Sequence, residues 1–172
     1  MSGETHDIHI AEPSTSDGSE LWRIARDSRT LDLNSSYAYL LWCRDFADTS
    51  AIAWRAGRPV GFVIGFVRPT EPETVVVWQI AVDGDQRGLG VAGRLLDHLL
   101  DRLAPRGVRH LETTISPGND ASIALFQALA RRRGADLRRA GLFAPAHFPD
   151  DHEAEDLYRI GPLVPARERV PA

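Results

Sequence analysis

The chain has 172 residues, of which 43% are hydrophobic and 26% are charged, and its formal net charge is −4. These values are typical of one globular domain with its own core, and the negative charge argues against nucleic acid as the main partner. No apolar run approaches the ~18 residues of a membrane span, and the first 20 residues (MSGETHDIHIAEPSTSDGSE) have neither the basic start nor the apolar core of a secretory signal.

The N-terminal half of the sequence predicts a short strand, two helices and a hairpin. The helices are indicated by apolar residues at helical spacing and the hairpin by two apolar runs on either side of the turn AGRP. The predicted elements are a strand near 6–11, a helix over 20–28 capped by Ser19, a loop at 31–35, a helix to about 46, and hairpin strands near 49–55 and 60–67.

Residues 74–82 (TVVVWQIAV) give the strongest strand signal, and Pro69 and Pro72 break the chain before them. Because the run is apolar on both faces, it predicts a central strand that is covered on both sides. The remaining predictions are a helix from about 88 to 103, a strand at 108–115, a helix over 120–133 capped by Asn119 and ended by Gly134, and strands near 135–140 and 155–160.

Together these elements predict an α/β chain with a mixed sheet of six or seven strands. We expect the folded domain to cover residues 19–162. Residues 12–18 (EPSTSDG) are turn-rich, and residues 1–18 are predicted to be a mobile N-terminal segment with a candidate first strand. Residues 163–172 are predicted to be a C-terminal tail.

The stretch GLGVAG, residues 88–93, fits the glycine pattern G-x-G-x-x-G of dinucleotide-binding proteins, and Glu112 follows at about the expected distance. A Rossmann turn, however, begins almost at the end of its strand, whereas five residues (DGDQR) separate Val82 from Gly88. The same residues also form R-x-x-G-x-A over 87–92, which would place phosphate on a helix N-terminus. A glycine-rich helix start that binds nothing is the plainer alternative.

Two residue counts exclude further chemistry. All 20 basic residues are arginines, so neither a P-loop lysine nor a Schiff-base lysine is available. The single cysteine, Cys43, excludes an internal disulfide and a cysteine-based zinc framework, and no metal site is predicted. This composition is typical of a cytoplasmic protein.

The turn R-x-x-G-x-A after a strand resembles the acetyl-CoA pyrophosphate loop of the GNAT (GCN5-related) N-acetyltransferases. The order of predicted elements agrees with that family, and so does the segment NDASIALFQALARRRGA, which begins at Asn119. Four further blocks between residues 31 and 162 are similar to the diaminobutyrate acetyltransferases of ectoine synthesis. These blocks are LDLNSSYAYLLWCRDFADTS, VWQIAV, LETTISPGNDAS and LYRIGP.

The resemblance implies a GNAT fold, with a splayed central strand and helices on both faces of the sheet. It implies acetyl transfer from acetyl-CoA to the 4-amino group of L-2,4-diaminobutyrate, and a homodimer. Two alternatives stay open: an acetyltransferase for another small amine or a protein N-terminus, and a non-catalytic acetyl-CoA sensor. The residues that the resemblance assigns to the donor are Ile80, Ala81, Val82, Arg87, Gly88, Leu89, Gly90, Val91, Ala92, Asn119 and Phe126.

The acceptor carries two ammonium groups and one carboxylate, so its pocket needs at least one acid. Asp32 is the first candidate, and its alternative role is that of a helix cap or an ordinary loop acid. Glu153 is the second candidate, and it could instead belong to a solvated acidic run. His152 could shuttle a proton or be a surface histidine. The acceptor candidates are Asp32, Tyr37, Trp78, Thr113 and Glu153, where Tyr37 could instead snorkel from its helix and Trp78 could be a core residue.

No general acid is named, because the chain departs from the wider family at this point. Many members carry a tyrosine in the helix after the asparagine, where this chain has Phe126, which cannot donate a proton. The arginine-rich run RRRGADLRR straddles the end of that helix, where cations suit the helix dipole. We therefore expect it to contact CoA phosphates or solvent and not nucleic acid.

Overall fold

The computed structural model describes residues 7–164, which contain seven strands and four α-helices. The helices are α1 (Gly18–Ser28), α2 (Ser36–Asp45), α3 (Val91–Leu103) and α4 (Asp120–Arg133). The strands are β1 (His9–Ala11), β2 (Ala51–Arg55), β3 (Arg58–Arg68), β4 (Glu71–Val82), β5 (His110–Ile115), β6 (Asp136–Phe143) and β7 (Glu155–Gly161).

The strands form one sheet in the order β1-β2-β3-β4-β5-β7-β6. The β4–β5 pair is parallel, whereas β1–β2, β2–β3, β5–β7 and β6–β7 are antiparallel, so the predicted mixed α/β sheet is confirmed with seven strands. The chain divides into two compact units: the first contains residues up to Phe66 together with Gln79–Leu99, and the second contains Val67–Trp78 and the residues from Leu100 onward.

In the first unit, α1 and α2 pack on a core that includes residues of β2 and β3. Leu21 and Ile24 recur at helical spacing and are fully buried with Tyr39, Phe62 and Ile64. Burial of each such side chain contributes about 1.5–3 kcal/mol to folding.

The predicted cap of the first helix is wrong. Helix α1 begins at Gly18 with Asp17 at the N-cap, because the chain runs into it directly from a 3₁₀ turn at Thr15–Asp17 that Ser14 caps. A Cβ on Gly18 would lie 2.7 Å from Leu40 Cδ2, so the glycine permits close packing of α1 against α2. Ser19 is therefore an exposed residue inside the helix.

Other predicted boundaries differ from the structure by a few residues. Pro72 lies within β4, close to its start, and does not precede the strand. Strand β5 starts at His110 and β6 continues to Phe143. The predicted first strand is described only over His9–Ala11, because residues 1–6 lie outside the described part of the chain, as do residues 165–172 of the expected tail.

In the second unit, the parallel ladder between β4 and β5 is short. It joins Thr74 to His110 and ends at the pair of Val76 and Glu112. One step further, the hydroxyl of Thr113 donates to the carbonyl of Val77 at 3.1 Å. The carbonyl of Val77 is thus bound by a side chain where the described backbone ladder between β4 and β5 stops. This arrangement fits the expected splaying of β4 from β5.

A buried carboxylate fixes the segment that follows β4 in the first unit. Asp83 is 7% exposed and accepts hydrogen bonds from Arg23 Nη1 at 3.0 Å and from Arg58 Nη1 at 3.1 Å. Burial opposes the charge of Arg23, but the hydrogen bonds and charges of Asp83 and Glu20 outweigh it and raise the pKa of that guanidinium. This three-residue cluster ties α1 and the β2–β3 hairpin to the end of β4.

The substitution Asp83→Ala is expected to lower the free energy of unfolding by about 2–3 kcal/mol, because it leaves two guanidinium groups without their shared buried acceptor. Urea denaturation measures the change. Asp85→Asn is the matched control, since Asp85 also pairs with Arg58, at 2.7 Å, but is 60% exposed. We expect it to cost much less than Asp83→Ala, because solvent screens an exposed ion pair. Equal effects of the two variants would contradict a structural role specific to Asp83.

Candidate active site

A glycine turn, residues Arg87–Ala92, leads from the end of β4 into α3. Gly88 and Gly90 both have φ = +76°, and a Cβ built on either residue would have no neighbour within 4 Å. Helix α3 therefore begins at Val91 and not near residue 88 as predicted, because these two glycines are in the left-handed region. Residues 87–90 are exposed, so the turn that precedes the helix start is accessible to solvent.

This geometry suits an anion. The first N–H groups of a helix have no partner inside the helix and carry the positive end of its dipole. The first helical bond into the turn, from Arg94 N to Gly90 O, is 3.0 Å long. Arg87 adds a cation to the same turn, and its Nη2 atom donates to the carbonyl of Ser28 at 3.3 Å. The end of α1 thus supports the turn from the protein side.

The C-terminal half of β4 has one face that is accessible. Trp78 is 47% exposed and Ile80 and Val82 are half-buried, whereas the intervening Gln79 and Ala81 are buried. The prediction that this strand is covered on both sides is therefore wrong for its last residues. The alternative of a core tryptophan is also wrong for Trp78, and the apolar pattern reflects a strand with an accessible apolar face.

The segment before α2 presents polar and aromatic side chains at the surface of the first unit. Asp32 lies in the predicted loop and is exposed, and Tyr37 in the first turn of α2 is 66% exposed. Asp32 is not the cap of the helix, because the side chain of Ser35 accepts from Ala38 N in that role. The alternative that Asp32 is a helix cap is therefore wrong.

Two buried residues that the sequence reasoning missed lie beneath this loop. Gln79 donates from Nε2 to the carbonyl of Asp32 at 2.8 Å and accepts from the hydroxyl of Tyr39 at 2.9 Å. The available signal was a single amide in an otherwise apolar strand, VVVWQIAV. A buried polar residue of this kind needs partners, and its partners identify the segment that it supports.

In the second unit, the predicted residues of β5 and α4 have defined structural contacts. Thr113 is 4% exposed and its hydroxyl is used on Val77, whereas its neighbour Thr114 is exposed. Asn119 caps α4 as predicted, with Oδ1 accepting from Ser122 N at 3.1 Å. Phe126 lies in α4 and is 2% exposed.

The acidic segment before β7 is an exposed loop. His152 stacks on Phe148 with ring centroids 4.1 Å apart, and its Nδ1 atom lies 2.7 Å from the carbonyl oxygen of Glu153. The side chain of Glu153 is exposed. The histidine is thus held by the loop itself, next to the carboxylate that was predicted to contact the acceptor.

Glu112 is a buried residue of β5 and is held by two arginines. Arg68 Nη1 lies 3.2 Å from its Oε2 atom, and Arg159 binds the other oxygen and also pairs with Glu71. This carboxylate is fully engaged within the protein, which removes the last support for a ribose ligand at this position. The arginine-rich run is also partly engaged, since Arg133 pairs with Asp101 at 2.6 Å.

The cysteine, the candidate metal ligands and the helices of the described chain each bear on the sequence predictions. Burial raises the pKa of Cys43 to about 11, so its thiol is protonated at neutral pH and is a poor nucleophile. Within residues 7–164 no group of three His, Cys, Asp or Glu side chains could hold a metal ion. None of the described helices is long and apolar enough to cross a membrane.

Comparison with known proteins gives a consistent result. Residues 18–130 match the model of the acetyltransferase (GNAT) family. The chain is 60% identical over 155 residues to an L-2,4-diaminobutyric acid acetyltransferase of Nocardia farcinica, covering 90% of this chain and 80% of that protein. It is 59% identical over 166 residues to the enzyme of the same name from Streptomyces coelicolor, covering 95% and 98% of the two chains.

Among solved structures, the chain is similar to the diaminobutyrate acetyltransferase EctA from Paenibacillus lautus. The TM-score is 0.87 at 40% sequence identity, and the match covers 91% of this chain and 96% of that chain. That protein was solved in complex with its substrate L-2,4-diaminobutyric acid and coenzyme A.

Proposed function

The chain belongs to the acetyltransferase (GNAT) family and, within it, to the L-2,4-diaminobutyric acid acetyltransferases, and from this membership we infer its reaction. It transfers the acetyl group of acetyl-CoA to the 4-amino group of L-2,4-diaminobutyrate. The product, N4-acetyl-L-2,4-diaminobutyrate, is the precursor of ectoine. The observation that carries this conclusion is the 40% identity and TM-score of 0.87 to an enzyme solved with this amino acid and coenzyme A bound.

The reaction sets three chemical requirements. The acceptor amine has an ordinary pKa of about 10, so it must lose a proton before its lone pair attacks the thioester carbon. The tetrahedral intermediate places negative charge on the former carbonyl oxygen, which needs a hydrogen-bond donor. Collapse of the intermediate breaks the C–S bond and releases a thiolate that takes up a proton to give CoA.

We assign the binding of the acetyl donor, acetyl-CoA, to the glycine turn and to the accessible face of β4. The pyrophosphate would bind the N–H groups of Gly88–Ala92 with Arg87 as the neighbouring cation, which the two φ angles of +76° and the open space beside them support. The pantetheine and the thioester would lie along Ile80, Ala81 and Val82, whose backbone supplies the oxyanion donor. Asn119 and Phe126 are assigned to the pantetheine side.

From the resemblance, we assign the binding of the acceptor amine to Asp32, Tyr37, Trp78, Thr113 and Glu153. An exposed carboxylate at Asp32 can pair with an ammonium group of the diamine, and the exposed ring of Trp78 offers an apolar wall. Thr113 is a weaker assignment, because its hydroxyl is already used on a backbone carbonyl.

Phe126 has no proton to donate, so we assign neither the general acid nor the general base to a single residue. The candidates are Asp32, Glu153 and His152, and a water chain that ends at an acid would serve as the base. We also propose a homodimer and a cytoplasmic location, without nucleic acid or membrane as partner, on the strength of the resemblance and of the net charge of −4. Light scattering of the purified protein measures the oligomeric state.

A direct assay tests the reaction. The purified protein is mixed with acetyl-CoA and a panel of diamines, amino acids and peptides, and release of free thiol is followed. We expect turnover with L-2,4-diaminobutyrate, and mass spectrometry should find the acetyl group on the 4-amino nitrogen. Turnover with other amines alone would overturn the assignment of the acceptor. Binding of acetyl-CoA with no turnover of any amine would favour the sensor.

A further inference from the structure

The side chain of Gln79 is a buried polar group whose two ends are both used. It lies on β4, is 5% exposed, and belongs to the first unit. Its Nε2 atom donates to the carbonyl of Asp32, and its Oε1 atom accepts from the hydroxyl of Tyr39. A buried amide without partners costs about 1–3 kcal/mol, so these two hydrogen bonds explain how an amide is tolerated there.

Tyr39 completes the arrangement from α2. It is fully buried, and burial raises the pKa of its phenol despite hydrogen bonds to Asn34 and Gln79 that lower it. The phenol is therefore protonated at neutral pH and acts as the donor to Gln79. Through Gln79 the pair holds the loop at Asp32, and through Tyr39 it holds the loop at Asn34.

The loop that this buried pair holds is itself exposed. Leu33 is 45% exposed, Tyr37 is 66% exposed, and the side chain of Asp32 is also at the surface. The side chains of Asp32, Leu33 and Tyr37 thus lie at the surface. The buried amide of Gln79 holds the backbone carbonyl of Asp32 and is itself held by the phenol of Tyr39. A loop without such anchors would have the mobility usual for exposed connecting segments.

We propose that Gln79 and Tyr39 are positioning residues for the binding of the acceptor. They hold the backbone at Asp32 and so fix the position and orientation of its carboxylate. This proposal rests on the proposed function, in which Asp32 binds an ammonium group of the substrate. The physical reason is that a charged partner displaced by about 1 Å loses much of its effect on a reacting group. The two residues themselves need not touch the substrate.

The test compares steady-state kinetics of Gln79→Leu and Tyr39→Phe with those of the wild-type protein. We expect Gln79→Leu to lower kcat/KM for diaminobutyrate by about 10- to 100-fold and to leave KM for acetyl-CoA within about twofold. Tyr39→Phe keeps the ring and removes one hydroxyl, so we expect a smaller loss in the same parameter. It also keeps the test informative if Gln79→Leu fails to fold.

The matched control is Thr49→Val, which removes another buried hydrogen bond in the same unit. Thr49 is 4% exposed and donates to the carbonyl of Gly65 at 2.6 Å, and Gly65 does not belong to the loop that contains Asp32. It should lower Tm like the test variants and leave kcat/KM for diaminobutyrate unchanged. If the test variants behave like this control, with a lower Tm and unchanged kinetics, the pair is only structural and the proposal is overturned.

A double variant separates this proposal from the function on which it rests. If the two residues act as one support, the losses of Gln79→Leu and Tyr39→Phe should not add in the double variant, whereas additive losses would contradict a shared role. Wild-type turnover of diaminobutyrate is measured first. Should the wild type prefer another amine, the proposed function fails, and the same variants are then compared with that amine to decide the positioning role independently.

Discussion

Replacing Gly90 by alanine is expected to weaken acetyl-CoA binding by about 10- to 100-fold and to leave KM for diaminobutyrate nearly unchanged. Gly90 has φ = +76°, and a Cβ there would enter open space beside the start of α3. We propose that this space receives the pyrophosphate, so a methyl group would keep the phosphate from the helix N–H groups. Titration calorimetry with acetyl-CoA measures the dissociation constant directly.

The hairpin turn between β2 and β3 provides an unusually close control. Gly57 has φ = +74°, is exposed, and likewise has no neighbour within 4 Å of a built Cβ. Gly57→Ala therefore introduces the same backbone strain, about 1 kcal/mol, at a position with no proposed ligand. Equal affinities of the two variants for acetyl-CoA would refute the phosphate assignment, because the strain is common to both.

Arg87→Ala tests the cation of the same turn. It should raise the dissociation constant for acetyl-CoA and leave diaminobutyrate affinity nearly unchanged. Arg87 also donates to the carbonyl of Ser28, so its removal could loosen the turn as well as remove a charge. Salt dependence separates the two effects, since a lost charge contact with pyrophosphate makes binding less sensitive to ionic strength. An unchanged dissociation constant would refute the role of Arg87.

The second large effect is expected at Asp32. Asp32→Asn should lower kcat/KM for diaminobutyrate by about 10- to 100-fold, because a charge-assisted hydrogen bond to an ammonium group is worth about 1.5–3 kcal/mol. KM for acetyl-CoA should not change. The side chain of Asp32 is exposed, and Gln79 binds its backbone carbonyl, which the substitution keeps.

Asp45→Asn is the matched control for the change of charge. Asp45 is an exposed acid at the end of α2 that pairs with Arg44, and it carries no role in the proposal. Comparison with 4-aminobutyrate, which lacks the 2-amino group, shows which ammonium group Asp32 binds. If Asp32→Asn lowers activity with diaminobutyrate but not with 4-aminobutyrate, Asp32 binds the 2-ammonium group. If Asp32→Asn lowers activity with neither amine, the assignment of Asp32 as the acid that binds the acceptor is wrong.

The sequence was informative where local chemistry decides local structure. Asn119 and Gly134 were predicted as the cap and the end of a helix, and α4 has both, because capping and left-handed termination depend on the residue at that position. The element order and a mixed sheet of six or seven strands were predicted from patterns that extend along the chain, and the structure has seven strands. The prediction of Ser19 as a cap was wrong, because the chain enters α1 directly from the 3₁₀ turn at Thr15–Asp17 and the helix begins at Gly18.

The sequence by itself predicted the glycine turn from residue types at fixed spacing, and its resemblance to the diaminobutyrate acetyltransferases implied the family and the reaction. Only the tertiary structure decided which face of β4 is accessible, because TVVVWQIAV has apolar residues on both faces and its pattern does not distinguish a covered face from an open one. It also revealed the support beneath Asp32, since Gln79 and Asp32 lie 47 residues apart and meet only when the chain has folded. Hydrogen bonds between distant residues leave no periodic signal in a single sequence.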